Sequence, residues 1–349
     1  MTYIIFYIFI FILSKLNKYK SVKSDIGFKF LFIVLVLFIG LRFEVGGDWF
    51  NYLAHFDNIS NKSIELDFFQ KELLYNSILL FSYYFFSGIW FINLILALIF
   101  CYGLYRFSTF STFNRYNLLL SAFPVLIVVI SLGFSRQSAA IGLFLLALIQ
   151  LLNKNGTKFL LLIFVASMFH LSSIIFLPLV FLSIKKNKFM YFLIALIPIY
   201  ILFSQLISPN MNYYNNSYLI RGYQSSGALI RILMNTIPAL FLLRYKNYFF
   251  DSNDSSQVWR IFSYGSIIIF ILYFFSPSST VLDRISYYFI PIQLYFFSNI
   301  DRIPITINGN RLSGNFVFLY GLLVLIYWLL FSVHSEYWLP YDSYLYKIF

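Results

Sequence analysis

Five short polar constellations interrupt an otherwise apolar chain of 349 residues, and each carries side chains able to move protons or hold anions. The first, GLRFEVGGDWFNYLAHF over 40–56, gathers Arg42, Glu44, Asp48 and His55 around Gly46-Gly47, with Trp49 and Tyr52 among them. Arginine suits bidentate binding of a phosphate. A carboxylate can deprotonate a hydroxyl, an aromatic ring can stack on a sugar face, and the glycine pair permits a sharp turn and close backbone approach. The plain alternative is a polar loop anchored by Trp49, but charges crowded this close to an apolar run favour function. The second is Ser135-Arg136-Gln137, lying between two apolar runs. An arginine there is costly unless it meets water or a counter-charge, the alternative being a snorkelling side chain. The third, Phe169-His170-Leu171-Ser172-Ser173, offers a base that titrates near neutrality, or a histidine satisfied by a carbonyl.

The fourth is Asp283-Arg284, followed by Tyr287 and Tyr288; its plain reading is an internal salt bridge that orients a helix start. The fifth is Glu72 in FFQKELLYN, where an acid near a helix amino terminus is favourable on dipole grounds alone. Arg221 and Arg231 flank a loop–helix junction in YLIRGYQSSGALIRILMN. No metal-ligand spacing, nucleotide-binding glycine loop or Ser-His-Asp order is visible. The single cysteine, Cys101, excludes an intrachain disulfide. No metal or cofactor is expected.

The elements that position these residues follow from composition. Hydrophobic residues make up 60% of the chain and charged residues 11%, against about 45–50% and about 25% in soluble domains. That content excludes independent soluble domains and a disordered chain, and predicts an all-α, polytopic transmembrane helix bundle of about 10–12 spans, counting about 20 apolar residues each. Candidate spans are 2–14, 28–41, 89–105, 118–133, 138–152, 189–207, 228–243, 261–276, 285–300 and 316–333, with one or two more in 159–184. The first run has no basic residue before it and no small-residue cleavage site, so it reads as a retained helix. Neither repeat nor linker divides 1–349, which reads as one polytopic domain. The net charge of +12 would suggest a nucleic-acid partner in a soluble protein. Here it encodes topology, and no nucleic acid is expected.

Segments 15–29, 106–117, 153–158, 185–188, 244–260 and 301–315 hold 17 of the 25 basic residues but only four of the 13 acids. The positive-inside rule places them in the cytoplasm. Twelve crossings follow, with both termini extracytoplasmic. Parity then requires 73–87 to lie along the outer surface as a juxtamembrane helix. It also favours two short helices meeting at His170 within 159–184, whose flanks both read cytoplasmic, over a single tilted span.

The runs GLRFEVGGDWFNYLAHF, FSRQSAAIGLFLLAL, VASMFHLSSIIFLPL and LDRISYYFIPIQL, in that order, resemble the EpsG-like family, which holds bacterial O-antigen (Wzy-type) and exopolysaccharide polymerases. The resemblance covers roughly residues 30–300. A first outer loop carrying Asp48, followed by a juxtamembrane helix, is also similar to GT-C membrane glycosyltransferases, although this chain has an extra span before that loop. The resemblance implies a glycosyltransferase of the bacterial inner (plasma) membrane, serving lipopolysaccharide or exopolysaccharide biosynthesis. It would transfer a growing glycan from undecaprenyl diphosphate to a hydroxyl on a new lipid-linked repeat unit. Its partners would be the undecaprenyl-diphosphate-linked oligosaccharide, the lipid bilayer, and a chain-length regulator and flippase of the same pathway. An O-antigen ligase or other GT-C-type enzyme is the alternative, and a flippase a further one. In this frame the base is sought among Asp48, Glu72 and His170, the first two ranked ahead. Arg42, Arg136 and Arg284 form one anion-binding set and Arg221 with Arg231 a second, while Trp49 and Tyr52 meet the sugar.

Overall fold

A computed structural model of the chain describes residues 1–16, 25–59, 72–86, 88–110, 114–183, 223–250, 255–303 and 314–348, with two-residue antiparallel strands at Thr306–Ile307 and Asn310–Arg311. The expected span 189–207 lies outside the described residues. Helices dominate as composition requires, and four are long and apolar enough to cross a membrane: Trp90–Phe110, Ser135–Leu152, Ser256–Tyr273 and Gly314–Phe331. The chain divides into two compact units. The first comprises 1–143, 168–171 and 314–349, and the second 144–167 and 172–313.

In the first unit, α1 (Thr2–Leu16), α2 (Ile26–Gly40), α5 (Trp90–Phe110), α6 (Arg115–Ala122) with its π-helical continuation Phe123–Ser131, the first half of α7 (Ser135–Leu152) and the helix Gly314–Phe331 alternate in direction. Polar ties at the helix ends establish this. At one end Asp25 caps α2 by accepting from the Phe28 N–H at 2.9 Å, and its other oxygen pairs with Arg115 and accepts from the Tyr116 hydroxyl at 2.9 Å. Lys15 donates to Asn315 at the same end. At the opposite end Arg42 reaches Asn93 and Ser135, and the Tyr3 hydroxyl donates to the Trp338 carbonyl. Within this unit Lys15, Asp25 and Arg115, from two of the segments assigned to the cytoplasm, therefore gather at one end. Residues near the two chain termini, Tyr3 and Trp338, meet at the other.

Helices α5 and α7 touch backbone to backbone. A Cβ on Gly103 would lie 2.1 Å from the Gly142 carbonyl oxygen, and a Cβ on Gly142 would lie 2.6 Å from the Phe100 Cα. Small residues permit such an approach in a membrane, where packing rather than the hydrophobic effect joins helices.

Two expectations about topology meet direct tests. The stretch 73–87 forms α4 (Leu73–Phe86), and it returns to the end it left: Glu72 before it pairs with Arg136, and Asn93 after it pairs with Arg42. The stretch 159–184 is broken, as the charge pattern favours. It comprises α8 (Gly156–Ser167) and a 3-10 helix, Leu171–Leu182, joined through Met168–His170. The feet of this hairpin meet, because Lys154 Nζ donates to the Leu182 carbonyl at 3.2 Å. Twelve residues of α-helix rise only about 18 Å, short of the about 30 Å hydrocarbon core.

The second unit holds α9 (Ala228–Arg244), α10 (Ser255–Tyr273), α11 (Ser279–Ser286), a 3-10 turn Tyr287–Phe289 and α12 (Ile290–Ser298). Its core is aromatic: Phe144, Phe176, Phe262, Tyr288 and Phe289 contact one another.

Candidate functional site

The loop that follows α2 is built around Arg42, which is 1% exposed. Its Nε donates to the Val45 carbonyl at 3.0 Å and Nη1 to the Ile39 carbonyl at 2.7 Å, while Nη2 reaches Asn93 Oδ1 at 3.3 Å and Ser135 Oγ. Burial pushes its pKa down to about 10, so it stays cationic at neutral pH. Arg42 thus organises the loop from inside. The donors of these bonds are turned into the fold, whereas the sequence suggests Arg42 as an anion ligand. Trp49, expected to meet the sugar, has a buried ring that faces Arg42, Phe43 and Tyr344.

The carboxyl-terminal segment straps this loop. Phe43 N–H donates to the Asp342 carbonyl, Gly46 N–H to Tyr337 and Tyr344 N–H to Leu41, at 2.8–3.0 Å. Gly46 has a φ of +112°, and a Cβ there would sit 2.0 Å from the Leu132 carbonyl oxygen, so the position admits only glycine without backbone movement. The turn it makes delivers Asp48, whose N–H donates to Gly133 at 3.3 Å.

Asp48 opens α3 (Trp49–Asp57) but makes no side-chain cap bond. Trp49, Tyr52 and Phe56 form the buried face of that short helix. The Asp48 carboxylate is half-buried and, among the described residues, accepts two long bonds, from Asn51 Nδ2 at 3.4 Å and from the Tyr52 hydroxyl at 3.5 Å.

Beside it, Arg136 at the start of α7 pairs with Glu72 at 2.5 Å, their side chains 28% and 16% exposed. The guanidinium carbon lies 5.3 Å from the Tyr52 ring centroid and 5.2 Å from that of Tyr75, a cation–π arrangement. The side chains therefore form a chain, Glu72 to Arg136 to Tyr52 to Asp48, with two carboxylates and one guanidinium. Two sequence candidates for separate roles, Glu72 as base and Arg136 as anion ligand, neutralise each other here. Tyr52, expected to stack on sugar, is buried with Arg136 and Tyr75 on its ring.

The break at Met168–His170 adjoins this cluster through the backbone, since the Leu74 N–H donates to the Met168 carbonyl at 3.2 Å. Met168 and His170 group with the first unit, and His170 is half-buried at the turn. All three base candidates thus belong to one unit.

In the second unit Arg231 grips Asp283 with two bonds, 2.8 Å from Nε and 2.6 Å from Nη2. Ser225 and Tyr287 donate to the same carboxylate at 2.6 and 3.0 Å. Asp283 was expected to pair with its neighbour Arg284; it pairs instead with Arg231, because residues adjacent on a helix point apart whereas α9 and α11 pack face to face. Arg231, expected as an anion ligand, is engaged by Asp283 in the structure. Arg284 is exposed and belongs to the second unit, as do Asp283 and Arg231. Arg221 lies outside the described residues.

Three participants have no counterpart among the sequence candidates. Asn93 was hidden inside an apolar run, where a lone buried amide is itself a signal. Tyr75 sat on the helix expected along the outer surface. The strap 337–344 had only its density of aromatic residues to mark it. Among the described residues, no group of three or more histidines, cysteines or acids could hold a metal.

A family model described as the EpsG family matches residues 25–343. No curated protein and no solved structure matches the chain.

Proposed function

The chain belongs to the EpsG family of polysaccharide polymerases, and on that premise we propose that it joins lipid-linked oligosaccharide repeat units at the outer face of the bacterial inner membrane. The glycosidic carbon of a growing glycan would part from the oxygen of undecaprenyl diphosphate and bond to a hydroxyl oxygen of a new repeat unit. The hydroxyl proton passes to a base, and undecaprenyl diphosphate leaves. Such a leaving group needs positive charge rather than a proton, whereas the attacking hydroxyl needs a base.

Asp48 is the base in this reading. The observation that carries it is the state of the two carboxylates in the cluster: Glu72 is committed to Arg136 at 2.5 Å, while Asp48 is half-buried with long contacts of 3.4 and 3.5 Å among the described residues. The Glu72–Arg136 pair holds Tyr52, and Tyr52 orients Asp48. His170, at the turn beside α4, is the secondary base candidate. A chain-length regulator and a flippase of the same pathway are the expected partners.

The test is a gene deletion complemented by variants, with surface polysaccharide resolved on a gel. Deletion should collapse the ladder to a single repeat, wild type should restore it, and Asp48→Asn should not, since a general base contributes about 10²–10⁴-fold. A full ladder from Asp48→Asn at normal expression refutes the assignment. Loss of every repeat on deletion points instead to a ligase or flippase.

A further inference from the structure

Tyr75 lies on α4 less than one turn beyond Glu72 and is 1% exposed. Its ring centroid is 6.0 Å from that of Tyr52, and Arg136 lies over its face. Its hydroxyl has no hydrogen-bond partner among the described residues. A buried, unsatisfied hydroxyl destabilises a fold, and native proteins retain few of them. Burial also pushes the phenol's pKa up, so the hydroxyl remains protonated and available as a donor.

The surroundings select what it could donate to. The cluster sets two carboxyl groups, Asp48 and Glu72, against the one guanidinium of Arg136. A diphosphate oxygen is a poor match for that field. A neutral sugar is a good one, because it brings acceptor oxygens for a phenol and hydroxyl protons for carboxylates. The partial exposure of Arg136 and Glu72 leaves an approach from the solvent side.

We propose that the Tyr75 hydroxyl is a substrate-binding donor that holds an oxygen of the acceptor sugar, so that a neighbouring hydroxyl of that sugar faces Asp48. This rests on the polymerase reading above and adds to it a residue and a ligand class: the Asp48–Tyr75 cluster takes the neutral sugar and not the diphosphate.

The experiment uses the full chain purified in detergent, with two probes. One is the repeat-unit oligosaccharide released from its lipid by mild acid, and the other is undecaprenyl diphosphate. Tyr75→Phe should weaken oligosaccharide binding about five- to tenfold, the worth of one hydrogen bond, and leave undecaprenyl diphosphate binding unchanged. Its melting temperature without ligand should equal or exceed that of wild type, because the unsatisfied hydroxyl is gone. Tyr84→Phe, on the exposed side of α4, should change none of these readings. Unaltered oligosaccharide affinity in Tyr75→Phe overturns the proposal, as does failure of wild type to bind the oligosaccharide. A lowered melting temperature or a misfolded Tyr75→Phe overturns it too, since either reveals a structural hydroxyl. Binding requires no turnover, so this result stands or falls apart from the gel that tests the polymerase reading.

Discussion

Replacing Glu72 with Gln separates a base from a clamp. In the structure Glu72 holds Arg136 at 2.5 Å, with 28% and 16% of the two side chains exposed. A charge-assisted hydrogen bond contributes about 1.5–3 kcal/mol, and partial exposure places this one toward the lower end. The Tyr52 and Tyr75 rings still face Arg136 in the variant and its side chain is 28% exposed, so its charge is not stranded. A double-mutant cycle of Glu72→Gln with Arg136→Gln, read by equilibrium unfolding in mixed micelles, should give a coupling of about 1–2 kcal/mol. Activity should respond differently from stability. The cluster keeps Asp48, so Glu72→Gln should retain polymerisation within about tenfold of wild type, whereas Asp48→Asn loses at least about a hundredfold. Coupling below about 0.3 kcal/mol would show that the pair is incidental. A ladder lost in Glu72→Gln but kept in Asp48→Asn would refute the assignment of Asp48 and make Glu72 the base.

Gly46→Ala should lower the melting temperature and the yield of inserted protein, with a cost above about 1–3 kcal/mol for the positive φ alone, because its Cβ meets the Leu132 carbonyl at 2.0 Å; near-normal stability would contradict the strapped loop. Burial works to raise the Asp25 carboxyl, but Arg115, the Phe28 N–H and Tyr116 outweigh it, so the folded carboxyl titrates below its ordinary range. Its contribution is therefore complete above the unfolded value of about 3.9 and lost as pH falls through the lower folded value. Asp25→Asn should destabilise the protein at neutral pH and flatten the acid limb of its stability curve, and parallel curves would exclude the ion pair. Reporter fusions at Asn155 and Asn187 should report the same side of the membrane, as the contact of Lys154 with Leu182 requires; opposite sides would restore a single span.

Membrane class, helix limits and the direction of several spans could be read from residue order alone. Partition into lipid depends on the content of a window of about 20 residues, and orientation on the charges that flank it; both are local. The same arithmetic anticipated that 73–87 returns to its starting end and that 159–184 breaks near His170. It also pointed to the loop at 40–56 and to Glu72 and Arg136 as places where polar groups near lipid demand an explanation.

Which charge meets which was beyond its reach. Arg136 pairs with Glu72, Arg231 with Asp283 and Arg115 with Asp25, partners 64, 52 and 90 residues apart. Arg42, sharing a helix end with Asn93 and Ser135, turns inward. Asp283 bypasses the arginine beside it, and a strap from the far end of the chain sets the turn before Asp48. A buried ion must find its counter-charge among whatever groups helix packing brings within a few ångströms. That neighbourhood is set by which helix ends meet, so the committed carboxylate and the available one differ only once the bundle has assembled.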